Sequence, residues 1–280
     1  MAVLLLSCPD RPGIVAAVAA AIFDGGGNIV DADQHTDRTH DRFLQRIEFA
    51  LEDGHSIETF RRDFHRVAHE LDLEWSLLAE GERPRVAILV SKQGHCLYDL
   101  LGRVAVGEIS ANVVAVISNH PDLRGAAERF GVAFEHLLVD GDDPSAQHRA
   151  LADTLARARA DLVVLARYMR IVPLEIVEQY RNRIINIHHS FLPAFAGARP
   201  YHQAHARGVK IIGATAHYAT ADLDEGPIIC QDVTPVSHRD DVESFVRRGQ
   251  DLERVVLARA VQLHLGHRVL TYANRTVVFD

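Results

Sequence analysis

Cysteine, methionine and tryptophan are scarce in this chain: its 280 residues include 3, 2 and 1 of them, and aromatic side chains make up 6%. Cys8, Cys96 and Cys230 lie far apart with no C-x-x-C pair, which argues against a disulfide framework and against the spacing of a structural zinc site. Reduced thiols, and with them a cytoplasmic setting, are expected. Positive charge is in deficit too. Against 38 Asp and Glu stand 30 Lys and Arg, for a formal net charge of −8, without the clustered cations that a nucleic-acid partner requires. No stretch approaches the roughly 18 uninterrupted apolar residues of a membrane helix. The apolar start, Met1 to Ser7, lacks a basic n-region and runs straight into the turn Cys8-Pro9-Asp10-Arg11-Pro12-Gly13, so neither a signal peptide nor a membrane partner is expected. What remains is the balance of a globular protein, 48% apolar and 24% charged, with a length comfortable for two domains.

Two regimes meet near Glu80-Gly81-Glu82-Arg83-Pro84. Before it, the apolar run Ala2–Ser7 reads as a strand, Gly13–Phe23 as a helix stopped by Gly25-Gly26-Gly27, and Asn28–Gln34 as a half-buried strand by its alternation. A further strand over Arg42–Leu51, an amphipathic helix over Ser56–Leu71 and a strand over Leu73–Leu78 complete a βαββαβ order, which is ferredoxin-like. After it, short aliphatic runs at Val86–Val90, Val113–Ile117 and Leu162–Leu165 alternate with helical segments at Cys96–Val106, Leu123–Phe130 and Ala146–Ala160. Strands at Ile184–Ile187, Ile211–His217 and Ile228–Val233 follow, then a long helix from Val242 to about Leu265. Such runs suit strands buried on both faces, so this part reads as a doubly wound α/β domain with ligands at the carboxyl ends of its strands.

The chemistry concentrates in Ile184-Ile185-Asn186-Ile187-His188-His189-Ser190-Phe191-Leu192-Pro193. Asn186 and His188 are two apart, so on a strand both face the same way. An amide and a protonated imidazole side by side can stabilise a developing oxyanion; alone, the tripeptide reads more readily as a polar strand end that caps a turn. A second block, His217 to Pro227, ends a strand and opens an acidic loop with Asp222, Asp224 and Glu225. A carboxylate held there could orient or protonate His188 and hold an attacking water; spacing alone does not choose among the three acids. His189, His202, His205 and His217 form no H-x-x-x-H with an acid at a recognised spacing, so no metal is expected.

Asn186-Ile187-His188 with Ser190 and Leu192-Pro193, then Gly213-x-Thr215-x-His217, then Leu223-Asp224-x-Gly226-Pro227, resemble the formyltransferase signature. That resemblance implies a Rossmann-like fold and use of 10-formyltetrahydrofolate. It puts Asn186 and His188 at oxyanion-stabilising positions and Asp224, of the three acids, at that of the catalytic aspartate. Across almost its whole length the chain is similar to formyltetrahydrofolate deformylases, through Val86 to Lys92, Ser118-Asn119-His120, Ala166-Arg167-Tyr168-Met169, His188 to Phe195 and Pro200 to Ala204. Asp10-Arg11-Pro12-Gly13-Ile14 with Gly26-Gly27-Asn28-Ile29 resembles an ACT regulatory domain. The implied organisation is an ACT-like domain over 1–80 and a formyltransferase-like catalytic domain over 85–280.

The implied reaction is hydrolysis of 10-formyltetrahydrofolate to formate and tetrahydrofolate, supplying formate for purine biosynthesis and balancing one-carbon folate pools; the folate is substrate, and no cofactor is needed. The pterin is expected near Met169, Arg170 and Ile171 and the Asp224 loop. Lys92, His95, Ser118, His189, Tyr201 and Asp222 are further candidates to line the pocket or its entry; for His189 a packing or turn role is the alternative. An amino-acid effector, glycine or methionine, is expected at Asp10, Arg11, Gly13 and Asn28, in a homo-oligomer built through the ACT-like domain, whose alternative role is oligomerisation alone. One departure bears on the acceptor. Transferases of the glycinamide ribonucleotide type cradle a phosphate on a glycine-rich loop after the first strand, and here that place reads Ser91-Lys92-Gln93-Gly94-His95-Cys96. Bulky side chains replace bare backbone, which favours water as acceptor over a transferase reading. A non-catalytic amino-acid sensor is the third reading, disfavoured by the intact Asn186, His188 and Asp224.

Overall fold

A computed structural model describes residues 1–79, 81–138, 144–193 and 200–279. They form two compact units, 1–82 together with 266–280, and 83–265. Glu80, Ala194, Phe195 and Asp280, which fall within the stretches quoted above, lie outside the described residues.

The first unit runs β1 (Ala2–Pro9), α1 (Ile14–Asp24), β2 (Gly27–Asp37), β3 (Arg42–Leu51), α2 (Ile57–Glu70) and β4 (Glu74–Ala79). Its antiparallel sheet has the order β2-β3-β1-β4. Leu4, Leu6 and Cys8 alternate along β1 toward the helices, where Ile14, Val18 and Ile22 of α1 and Phe60 and Phe64 of α2 meet them at i, i+4 spacing. Ser56 caps α2 by accepting from the Thr59 N–H at 3.2 Å. The run Ala2–Leu6 is apolar at every position because its other face is covered as well. Leu5 and Leu44 pack there with Phe279, Leu270, Tyr272 and Val277. The last residues come from a C-terminal hairpin described below, which therefore groups with the first unit and not with the second, as the expected span of 85–280 had it. A second difference concerns β2. Alternation predicts a half-buried strand, but β2 is the sheet edge and its residues from Asn28 to His35 are exposed.

The second unit runs β5 (Arg85–Val90), α3 (His95–Ala105), β6 (Asn112–Ser118), α4 (Arg124–Arg129), β7 (Phe134–His136), α5 (Pro144–Ala158), β8 (Leu162–Leu165), α6 (Leu174–Gln179), β9 (Ile184–His188), α7 (Pro200–Arg207), β10 (Ile211–Tyr218), β11 (Ile228–Pro235) and α8 (Val242–Leu265). The chain then returns to the first unit through the hairpin β12 (Val269–Tyr272) and β13 (Arg275–Val278). The sheet order β11-β10-β9-β8-β5-β6-β7 is parallel from β9 to β7, while β10 and β11 are antiparallel additions. From β5 the chain goes first to β6 on one side and later to β8 on the other, so the switch point lies between β5 and β8. The aliphatic strand runs are buried on both faces, as their composition predicts; Ala87, Leu89, Val163, Leu165 and Ile184 form one continuous core. Among the described residues no helix is long and apolar enough to cross a membrane.

Candidate active site

Beside this switch point lies a cavity of about 930 Å³, lined by residues that follow β5, β8 and β9 and by the loop after β10. Asn186 and His188 stand on one face of β9 by the two-residue period. Opposite them the antiparallel β10 places His217 against Asn186 and Thr215 against His188, and directly paired residues put their side chains on the same face. The Asn186 amide nitrogen is 3.1 Å from His217 Nε2. His217 Nδ1 lies 3.0 Å from the Tyr218 carbonyl. Because a carbonyl only accepts, Nδ1 carries the proton, and neutral His217 receives the Asn186 N–H at Nε2.

The loop after β10 closes on itself. The Tyr218 N–H donates to the Pro227 carbonyl at 2.9 Å, and Thr220 Oγ1 donates to the Asp222 carbonyl at 3.0 Å. Gly226 lies so close to the Tyr218 carbonyl that a Cβ has no room. This fold holds Asp224 in the left-handed region, φ 59°, which Asp tolerates better than most residues. Its Oδ1 reaches 3.1 Å from His188 Nδ1 and 3.6 Å from His217 Nε2. The hydrogen bond from His188 holds the Asp224 carboxyl well below the usual carboxylate range despite partial burial, so it is ionised at neutral pH. His188 is 5% exposed, and its Nε2 is buried with no hydrogen-bond partner among the described residues. An imidazole fixed at Nδ1 by a carboxylate, with Nε2 uncommitted on a cavity wall, has the geometry that proton transfer requires.

The blocks picked out along the sequence each have a local reason. Thr215, fully buried, donates to the Ser190 carbonyl at 2.9 Å and accepts from the Leu192 N–H at 3.1 Å, tying down the turn after β9. A Cβ on Gly213 would stand 2.7 Å from that of Phe191. His189 lies just past the strand end, where alternation no longer decides its direction. It lines the cavity, with its ring 5.2 Å from that of His188 and 6.1 Å from that of Tyr201. Burial, with help from the Arg167 and His188 charges, pushes it down to about 4, so it is neutral.

Met169, Arg170, Ile171, Tyr201 and Asp222 line the same cavity, and Met169 and Ile171 are 62% and 76% exposed, an apolar lip without cover. Three expected pocket residues are not on its wall. Lys92 is exposed elsewhere on the loop. Ser118 is fully buried at the end of β6, accepting from the His120 N–H at 3.1 Å. His95 turns inward, its Nε2 2.8 Å from Glu253. Sequence reading missed His217 as a site residue, although it closes the Gly213-x-Thr215-x-His217 block, and missed Glu253 altogether. Glu253 sits among Gly249, Val256, Leu257 and Ala260 on the buried face of α8; an acid on an apolar helical stripe is the signal that marks it. His95, Cys96 and Glu253 bring donor atoms within 4.8 Å of one another, a set a divalent cation could use, but the Arg167 guanidinium 3.5 Å from Glu253 already opposes that charge.

In the first unit, Asp10, Arg11 and Gly13 lie exposed on the loop from β1 to α1, with Gly13 at φ 93° as the cap of α1, and Asn28 is exposed at the start of β2.

Fold and site together define a formyl transferase catalytic domain accompanied by an ACT domain: the models of the formyl transferase and ACT domain families match residues 84–261 and 2–69. A formyltetrahydrofolate deformylase of Synechocystis is 54% identical over 279 residues, 99% of this chain and 98% of the relative. The crystal structure of a formyltetrahydrofolate deformylase from Pseudomonas syringae superposes with a TM-score of 0.97 at 44% identity, covering 100% of this chain and 94% of that one. The glycinamide ribonucleotide transformylase 1 of Symbiobacterium toebii matches with a TM-score of 0.68 at 36% identity over 72% of this chain and 96% of its own. The chain thus belongs to the formyltetrahydrofolate deformylase family.

Proposed function

We propose that this deformylase hydrolyses 10-formyltetrahydrofolate to formate and tetrahydrofolate at Asn186, His188 and Asp224. The observation that carries the reading is the pairing of His188 Nδ1 with Asp224 at 3.1 Å while Nε2 stays uncommitted. Water attacks the formyl carbon and gives its proton to His188 Nε2. The imidazolium that forms is stabilised by the Asp224 carboxylate. The oxyanion is met by that imidazolium and by the second N–H of the Asn186 amide, whose first is held by His217. As the C–N10 bond breaks, His188 passes the proton to N10, and formic acid departs and gives its remaining acidic proton to solvent as formate. The folate ring system is proposed to lie against Met169, Arg170, Ile171 and Asp222, where the cavity is open and apolar, and neutral His189 to border the reacting centre. No further cofactor enters this scheme.

Cytoplasmic one-carbon metabolism, with formate going to purine biosynthesis, is the setting that fits such an activity. For the ACT domain we propose an amino-acid effector, glycine or methionine, at Asp10, Arg11, Gly13 and Asn28, in a homo-oligomer; the exposed edge of β2 supports pairing with another copy. The test of the activity is direct: purified protein with 10-formyltetrahydrofolate and no amine is expected to release formate and tetrahydrofolate in equal amounts. Release only when an amine is added would make the protein a transferase, and no release would reject both.

A further inference from the structure

The same cavity carries a second polar cluster that this chemistry does not use. At its centre is Glu253, 1% exposed in the middle of α8. Its Oε2 lies 2.8 Å from His95 Nε2 and 3.5 Å from Arg167 Nε, and its Oε1 accepts from the Tyr201 hydroxyl at 2.6 Å. Arg167 Nε also donates to Gln93 Oε1 at 3.0 Å. A buried charge that satisfied is a built feature and no accident of packing. Arg167 itself adopts φ 65°, a conformation that glycine takes freely and an L side chain resists. Among the described non-glycine residues at positive φ, Arg167 and Asp224 line the cavity, so two of its wall positions are held in a conformation that side chains resist.

The position of the cluster gives it meaning. Gln93 and His95 come from the loop after β5 and the first turn of α3. On this kind of sheet that is where free backbone N–H groups would hold an anionic group of a second substrate. Here the two side chains turn instead to Arg167 and Glu253. Arg167 alone would attract a phosphate; Glu253 cancels that charge, and Tyr201 and His95 satisfy the carboxylate in turn.

We propose that Gln93, His95, Arg167, Tyr201 and Glu253 are a specificity-determining plug, filling the acceptor end of the cavity so that a phosphate-bearing amine finds neither space nor net positive charge and water becomes the acceptor. This rests on the hydrolase reading and names what separates it from transfer. The plug has no step in hydrolysis, so opening it should change the acceptor more than the rate.

The experiment opens it from two sides. Glu253→Gln keeps the size of the buried side chain while removing the charge that cancels Arg167, and Gln93→Gly bares the exposed loop without touching the buried side chain. Each single variant and the double variant are given 10-formyltetrahydrofolate with and without glycinamide ribonucleotide. In transfer the amine nitrogen bonds to the formyl carbon, the C–N10 bond breaks, and the amine proton goes to N10, so formylated amine and formate are counted separately. The wild type is expected to make formate alone. The double variant is expected to raise the ratio of formylated amine to formate at least tenfold, with formate release in the absence of amine within tenfold of wild type. A cooperatively folded variant that hydrolyses normally yet transfers nothing overturns the plug, as does one that binds substrate but has lost hydrolysis. If the double variant fails to fold, Gln93→Gly alone decides by the same ratio. A wild type that releases no formate rejects the hydrolase reading itself, a separate result.

Discussion

The role proposed for the Asp224 carboxylate can be tested by one small change. Replacing it by asparagine keeps the size and the φ of 59° that the loop imposes, and removes the charge. With Oδ1 at 3.1 Å from His188 Nδ1, attraction to an imidazolium is worth about 5 kcal/mol at an effective dielectric of about 20. The Asp224 side chain is 21% exposed, so solvent screens part of that, leaving about 3 to 4 kcal/mol. At about 1.4 kcal/mol per factor of ten, kcat should fall roughly 10²- to 10³-fold. The new amide can also turn its NH₂ toward Nδ1, which forces the other tautomer on His188 and deepens the loss. Since the charge acts when the imidazolium forms, KM should change little. The assay is steady-state formate release from 10-formyltetrahydrofolate, with kcat and KM fitted separately and folding checked by melting. An Asp224→Asn enzyme within tenfold of wild-type kcat would refute the reasoning. The same contact shapes acid stability. The folded carboxyl lies below the ordinary value of 3.8, so its stabilisation is present above that value and is lost as pH falls through the folded one. The variant should lack this acid-side decline.

Two further outcomes follow from the same geometry. Asn186→Ala removes one oxyanion donor and should lower kcat by roughly 10²- to 10³-fold with little change in melting temperature; turnover within tenfold of wild type would take Asn186 out of the reaction. His189, held near 4 by burial against an ordinary 6.5, is protonated in the unfolded chain before the folded one. Native stability should therefore fall as pH drops from 6.5 to about 4, by at most about 3 kcal/mol, and denaturant titrations of His189→Gln should lose that slope. A slope unchanged by the substitution would show that His189 is not the group responsible.

Local pattern carried much of this architecture. The alternation of Leu4, Leu6 and Cys8, the four-residue spacing of Phe60 and Phe64, and the aliphatic runs of the second unit are read directly because periodicity and burial are the same fact seen twice. Asn186 and His188 were legible as neighbours because a strand repeats every two residues. Other features depend on packing between distant segments. β2 alternates like a half-covered strand yet lies bare at an edge, since coverage belongs to the neighbour and not to the strand. The hairpin β12–β13 leaves the unit it follows in sequence and covers Leu5 and Leu44. His95 reads as a pocket residue until Glu253, far along the chain in α8, turns it inward.

By itself the sequence determined the two-part α/β organisation, the strand that carries Asn186 and His188, and the family whose signature those residues share, because each is written in short-range spacing or in contiguous blocks. Tertiary structure alone decided that β10 sets His217 against Asn186, that the Asp224 carboxylate comes to 3.1 Å from His188, and that five polar side chains from four separate segments are linked through Arg167 and Glu253. The reason is physical: hydrogen bonds and charge pairs at about 3 Å are fixed by where segments cross, and that crossing is a property of the packed whole.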